Sequence, residues 1–264
     1  MPVQNFLYDG YSIPYSEVGK GKIIVLLHGF AETSKVWENQ INFLGRNYRV
    51  IAPEIPGIGY PPGAPLGMDA MADAVAALIQ SITNEPVILL GHSMGGYITL
   101  ALAENYPQLI KAFGLVHSTA FADTDEKKET RRKAIDFIQK NGTEAFLKTS
   151  STGLFSEQSQ QQHPEWIDNT VNMGSPFDPQ VLVANYEAMM DRPDRTNVLR
   201  GSKMPVLFII GMEDKAAPAD DLLKQVHLPE VSYFHLLENV GHMGMWEAAD
   251  KVNTFIQKFI EDCD

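Results

Sequence analysis

The sequence has a single cysteine, Cys263, beside its C-terminus, so no disulfide can form within the chain. A reducing, cytoplasmic setting is the expectation that follows. Positive charge is also scarce: 21 Lys and Arg stand against 33 Asp and Glu, a net charge of -12. That argues against non-specific binding to nucleic acid or to an anionic membrane. No apolar run approaches the ~18 residues needed to span a bilayer. Met1-Pro2-Val3-Gln4-Asn5 lacks the basic and apolar blocks of a signal peptide. Repeats and long low-complexity segments are missing. So are a glycine-rich phosphate loop and any His, Cys or carboxylate group at metal-ligand spacing. The expectation is therefore no cofactor, no metal, no nucleic acid and no membrane. The partner expected is a small-molecule substrate, met by a monomer or homodimer.

What is present is apolar substance, 44% of 264 residues, enough for one large α/β domain or a domain with an insertion. The chain is organised around Val87-Ile88-Leu89-Leu90-Gly91-His92-Ser93-Met94-Gly95-Gly96. Its first four residues read as a buried strand, and Tyr97 to Ala103 reads as a helix. Between them a tight turn holds Ser93 at its apex, with Gly91 and Gly95 where strand and helix backbones approach closely. The bland reading is a serine that caps the helix. The functional reading is a nucleophile beside the free N–H groups and positive dipole end of a helix N-terminus.

Phe6 to Val18 holds two strand-like pieces around Asp9-Gly10, a hairpin signal. Ile23 to Leu27 is a continuous apolar run, hence a central strand ending in His28-Gly29-Phe30. Ser34 is placed to cap a helix reaching Leu44. Tyr48 to Ala52 predicts a strand, Pro56 to Gly63 a rigid turn-rich loop, and Met68 to Ile82 a helix. Ala112 to Val116 predicts the sixth strand. Strands alternating with helices imply a mostly parallel sheet whose chemistry collects at the carboxyl ends of its strands. His28, Ser93, His117 and Ser118 all stand at such ends.

From Thr119 to Ser202 strand-like runs stop, for far longer than the roughly dozen residues a crossover needs. Pro164 and Pro179 occupy first-turn positions of helices there. The expectation is an all-helical lid, 119–202, inserted into a core of 1–118 and 203–264. Strand signals return at Pro205 to Gly211 and Val231 to Leu237, and Trp246 to Ile260 predicts a closing amphipathic helix.

A serine hydroxyl needs a base, and the base needs an orienting carboxylate. Asp214 lies just past a strand, with Glu213 and Asp220 as competitors, and His242 lies in the loop after the last strand. The order Ser…Asp…His, together with His28-Gly29-Phe30, Gly91-His92-Ser93-Met94-Gly95-Gly96 and Gly241-His242, resembles the α/β-hydrolase fold along the whole chain. The resemblance implies Ser93 as nucleophile, His242 as base and then acid, and Asp214 as orienting acid. It implies an oxyanion hole from the backbone N–H groups of Phe30 and Met94. The family often has Asp where Glu54 stands and Ser where Tyr60 stands. His28 and His92 fall at positions that support backbone in the family, while His117 is placed to line the pocket.

The expected activity is hydrolysis of a carboxylic ester of small to medium acyl groups. Phe121, Trp166, Met189 and Met190 are candidates to line the substrate cavity. Arg131, Arg132, Arg192 and Arg195 could meet a substrate carboxylate, although exposed charge is the default for helical arginines. The alternatives are carbon–carbon bond hydrolysis or lysis of a keto acid, cofactor-free perhydrolysis, and a non-catalytic ligand-binding module.

Overall fold

A computed structural model of the chain describes residues 3–55 and 67–263. The strands are β1 (Val3–Tyr8), β2 (Tyr11–Val18), β3 (Ile23–Leu27), β4 (Arg49–Pro53), β5 (Val87–His92), β6 (Ile110–Val116), β7 (Val206–Gly211) and β8 (Ser232–Leu237). They form one sheet in the order β1-β2-β4-β3-β5-β6-β7-β8. The hairpin β1-β2 and the pair β2-β4 are antiparallel, and every later pairing is parallel. The hairpin turns at Asp9 and Gly10, both with positive φ, as an Asp-Gly turn requires.

Alternation along the central strands sorts the core into two layers. Val25, Leu27 and Leu89 face the helices α2 (Met68–Ile82) and α3 (Met94–Asn105), where Met71, Leu78, Ile98 and Leu102 pack. Ile24, Leu26 and Leu90 face the other way, against Ile41 and Leu44 of α1 (Glu38–Leu44) and Val252, Ile256 and Phe259 near the C-terminus. With both faces covered, these strands read as unbroken apolar runs. Each such side chain contributes about 1.5–3 kcal/mol on burial.

Between β6 and β7 the chain holds only helices: α4 (Asp125–Asn141), α5 (Thr143–Ser150), α6 (Glu157–Gln162), α7 (Pro164–Gly174), α8 (Pro179–Asp191) and α9 (Thr196–Gly201), with one 3-10 turn after α5. Pro164 and Pro179 do stand in the first turns of α7 and α8. Ile138, Phe146, Leu147, Val171, Phe177 and Leu182 form a separate apolar cluster among these helices. After β7 come α10 (Ala219–Leu223) and, past β8, α11 (Gly244–Glu247) and α12 (Ala249–Asp262). No helix among the described residues is long and apolar enough to cross a membrane.

Two local expectations change, and a third falls outside the described residues. The helical stretch opens with a 3-10 turn, Ser34–Trp37, capped by Thr33, whose hydroxyl accepts from Lys35 N–H, and α1 follows after Trp37 with no side-chain cap of its own. Ser34 is instead recruited by Glu54, its hydroxyl donating to Oε1 at 2.6 Å. The closing helix breaks at Ala248, whose φ of -140° leaves the helical range between α11 and α12. The loop expected at Pro56 to Gly63, including Tyr60, lies outside the described residues.

Candidate active site

The turn after β5 is as tight as its glycines demand. A Cβ on Gly91 would lie 2.2 Å from the Gly95 carbonyl oxygen, and one on Gly95 would lie 2.5 Å from that of Leu27. Ser93 between them has φ 51° and ψ -116°, a conformation that costs a non-glycine residue of order 1–3 kcal/mol. Neighbouring strands hold it there. Its N–H donates to Val116 O at 3.0 Å, and its carbonyl accepts the Ser118 hydroxyl at 2.7 Å. The Ser93 side chain makes no capping bond to α3. The capping reading therefore does not describe this turn, and the hydroxyl is left to the cavity.

Asp214 follows β7 in a turn, with its side chain wholly buried. Four N–H groups converge on it. Oδ1 accepts from Ala216 and Ala217, each at 2.8 Å. Oδ2 pairs with His242 Nδ1 at 2.7 Å and His117 Nδ1 at 3.2 Å. Burial alone would raise the Asp214 pKa. The His242 charge and the hydrogen bonds from both histidines outweigh it and hold the carboxyl well below the usual range. The acid is therefore ionised throughout the working range.

His242 is pinned through its backbone. Its N–H donates to Leu154 O at 2.7 Å, and its carbonyl oxygen lies 3.0 Å from His92 Nε2. Burial pulls its pKa down. The Asp214 charge and hydrogen bond, helped by Glu32, push harder and leave it above the ordinary histidine value. From Asp214 to His242 the link is a hydrogen bond. From His242 to Ser93 it is a shared wall of one cavity of about 750 Å³.

Met94 opens α3, so its N–H has no intrahelical acceptor. Phe30 lies on the cavity wall, in a segment with several ties. The carboxylate of Glu32 accepts Gly29 N–H at 2.6 Å and meets His92 Nδ1 at 2.9 Å. His28 Nε2 accepts Ile55 N–H at 2.8 Å. Ala31 has φ 56°. His92 thereby bridges the segment that carries Phe30 to the backbone of His242.

Phe121 and Met189 line the same cavity as Ser93. Trp166 does not: it stacks on His163 at 4.0 Å and lines a different cavity with Met173 and Trp246. Met190 is also absent from the wall of the Ser93 cavity. It follows Met189 on α8, and one helical step turns a side chain by about 100°. The arginines correct the exposed default. Arg192 is buried on the Tyr97 ring, 3.8 Å from its centroid, and pairs with Asp123 at 2.9 Å. Arg131 pairs with the same carboxylate at 2.5 Å. Both line the cavity. Arg195 is buried with Asp69 and Glu104, and only Arg132 meets the expectation of exposure.

Glu32, Asp123 and Tyr186 escaped sequence reasoning. None sits in a motif: Glu32 takes its place through His92, 60 residues on, Asp123 through Arg192 as well as the nearby Arg131, and Tyr186 through the Phe30 ring, 4.3 Å from its own. The placement of His117 at a strand end was legible, but its partner Asp214 was not. Among the described residues one group could hold a metal ion: His117, Asp214 and His242, with one ligand atom of each within 4.8 Å of the others. Sequence spacing had no means of revealing it. Both histidines are already hydrogen-bonded to one Asp214 oxygen, and the group is one ligand short of the four of a closed zinc site.

A family model described as alpha/beta hydrolase fold matches residues 22–249. The chain is 24% identical over 256 residues to (E)-2-((N-methylformamido)methylene)succinate hydrolase of Acinetobacter baylyi, covering 94% of this chain and 93% of the relative. It is 26% identical over 280 residues to 2-hydroxy-6-oxo-6-phenylhexa-2,4-dienoate hydrolase of Comamonas testosteroni, covering 95% and 91%. Among solved structures, a thermophilic esterase from Thermogutta terrifontis with malate bound superposes with a TM-score of 0.92 at 26% identity, covering 100% of this chain and 99% of that one.

Proposed function

Because the chain belongs to the alpha/beta hydrolase family, we propose that it hydrolyses carboxylic esters of small to medium acyl groups through an acyl-enzyme on Ser93. The observation that carries this reading is the 2.7 Å bond between Asp214 and His242 Nδ1, with the ring on the same cavity wall as Ser93. An Asp214 that only accepts fixes the proton on Nδ1 and leaves the Nε2 lone pair for the serine. Ser93 Oγ attacks the carbonyl carbon and its proton passes to Nε2. The N–H groups of Phe30 and Met94 take the oxyanion. Collapse expels the alcohol, which leaves with the proton from Nε2, and water repeats the sequence to release the acid. Helices 119–202 act as the lid over this chamber, lending Arg131, Tyr186 and Met189 to its wall.

A base raised above the ordinary histidine value sets the sign of the pH dependence. Below its pKa His242 is protonated and cannot accept from Ser93, so kcat/KM rises with pH as the ring deprotonates. The midpoint of that limb is expected above ~6.5, the unperturbed value. A kcat/KM profile with chemistry limiting and its acid limb centred at or below that value contradicts the assignment.

A second reading is carbon–carbon bond hydrolysis of a keto acid. Arg131 and Arg192 favour it, since two guanidinium groups share the single Asp123 carboxylate on the wall that holds Ser93. The name of the Comamonas relative gives a 6-oxo dienoate as its substrate. A panel of short p-nitrophenyl esters beside vinylogous diketo acids separates the two. Faster turnover of the esters, with fluorophosphonate labelling at Ser93, is the expected result. Turnover of the diketo acids alone would transfer the assignment to the second reading.

A further inference from the structure

We infer that His117 is a positioning residue of the reaction: it gives its Nδ1–H to the Asp214 oxygen that also holds His242, and so limits how strongly that carboxylate makes His242 basic. The inference rests on the reading of Asp214 and His242 as acid and base.

The geometry is specific. His117 lies one residue past β6 with φ 50°, and its backbone N–H is fixed on Ile209 O at 2.9 Å. Its ring sits 6.0 Å from that of His92 and 5.9 Å from that of His242. Nδ1 reaches Asp214 Oδ2 at 3.2 Å, on the oxygen that His242 holds at 2.7 Å. An ionised carboxylate only accepts, so Nδ1 of His117 carries the proton. Nε2 is buried without a partner. It lies in a slot cut by glycines: a Cβ on Gly244 would come 2.3 Å from it, and one on Gly211 would come 3.0 Å from Cε1. An imidazolium there would leave an N–H with no acceptor. Burial likewise holds the His117 pKa below its ordinary value, against the pull of Asp214.

A core histidine could spend its proton on any carbonyl. This one adds a second donor to the atom that orients the base. A hydrogen bond to the charged form of Asp214 draws charge from Oδ2 and weakens its hold on His242. His117 therefore works, beside burial and the Lys127 charge on α4, against Asp214 and Glu32, which raise His242. The titratable groups facing His117 are Asp214 after β7, His242 after β8 and His92 at the end of β5. Glu32 stands behind His92, bonded to its far nitrogen.

The test compares His117→Leu, which keeps the bulk and removes the donor, with His117→Asn, which presents an amide N–H where Nδ1 stands and tolerates positive φ. The His242 titration is read by nitrogen-15 NMR of the intact protein, beside the acid limb of kcat/KM. His117→Leu is expected to move both upward by about half to one pH unit, while His117→Asn leaves them at the wild-type position. Equal shifts in the two variants, or none in His117→Leu, overturn the proposal. Should His117→Leu fail to fold, wild-type spectra decide. His117 is expected as the neutral Nδ1–H form at neutral pH, and a proton on Nε2 with bare Nδ1 overturns the proposal. These spectra need no turnover, so the ester reading can fail while this inference stands, and the reverse.

Discussion

Ser93→Ala is expected to lower ester turnover by about 10⁴–10⁶-fold, on the scale of other nucleophile deletions in such relays, while leaving the thermal midpoint close to wild type. The fold should survive because the bonds that hold this turn belong to the backbone of residue 93. Its N–H meets Val116 O and its carbonyl meets the Ser118 hydroxyl, and alanine keeps both. The hydroxyl makes no capping bond whose loss would weaken α3. What disappears is the oxygen that forms the acyl-enzyme. The oxyanion donors and the cavity remain, and account for the residual rate. The check is kcat on a short p-nitrophenyl ester with the thermal midpoint measured alongside. Turnover within tenfold of wild type in a folded Ser93→Ala protein would remove Ser93 from the chemistry.

Asp214→Asn should cost about 10⁴-fold in kcat and, unlike the serine change, stability as well. The carboxylate receives four N–H donors, two on each oxygen. An amide has one oxygen to offer, and its NH₂ must face donors whichever way it turns. Turned toward the histidines, the NH₂ forces His242 to present a bare Nδ1. The proton then moves to Nε2, where Ser93 needs the lone pair. Turned the other way, the NH₂ meets the N–H groups of Ala216 and Ala217. A buried donor left without an acceptor costs about 1–3 kcal/mol. Chemical denaturation of Asp214→Asn should therefore show a lower midpoint, with kcat falling more than KM rises. A variant of unchanged stability and kcat within a hundredfold of wild type would show that Asp214 orients nothing.

Much of the scaffold was legible because burial on both faces of a parallel sheet writes itself as uninterrupted apolar runs. Ile23 to Leu27, Val87 to Leu90 and Val206 to Ile210 are such runs, and all become buried strands. Asp9-Gly10 marked its turn, and Pro164 and Pro179 their helix starts, through backbone dihedrals that belong to the residues themselves. The misreadings come from partners and side-chain directions that residue type alone does not carry. Ser34 has the chemistry of a cap, but Glu54 reaches it from 20 residues away. Arg131 and Arg192 read as solvated charge, but Asp123 lies between them. Trp166 and Met190 have the right composition for a cavity wall and the wrong direction.

By itself the sequence determined the hydrolase-type sheet, the strained turn that exposes Ser93 and the chain order of the three candidate residues. Each depends on neighbours in the chain: periodicity, glycine spacing, a strand followed by a turn. Only the tertiary structure decided what surrounds them. It set His117 on the same oxygen as His242, His92 between Glu32 and the His242 backbone, and two arginines on one aspartate above the cavity. The widest of those contacts, from His92 to the His242 backbone, joins residues 150 positions apart. They exist because the packed sheet brings its strand ends to one edge, where a hydrogen bond depends on distance in space and not along the chain.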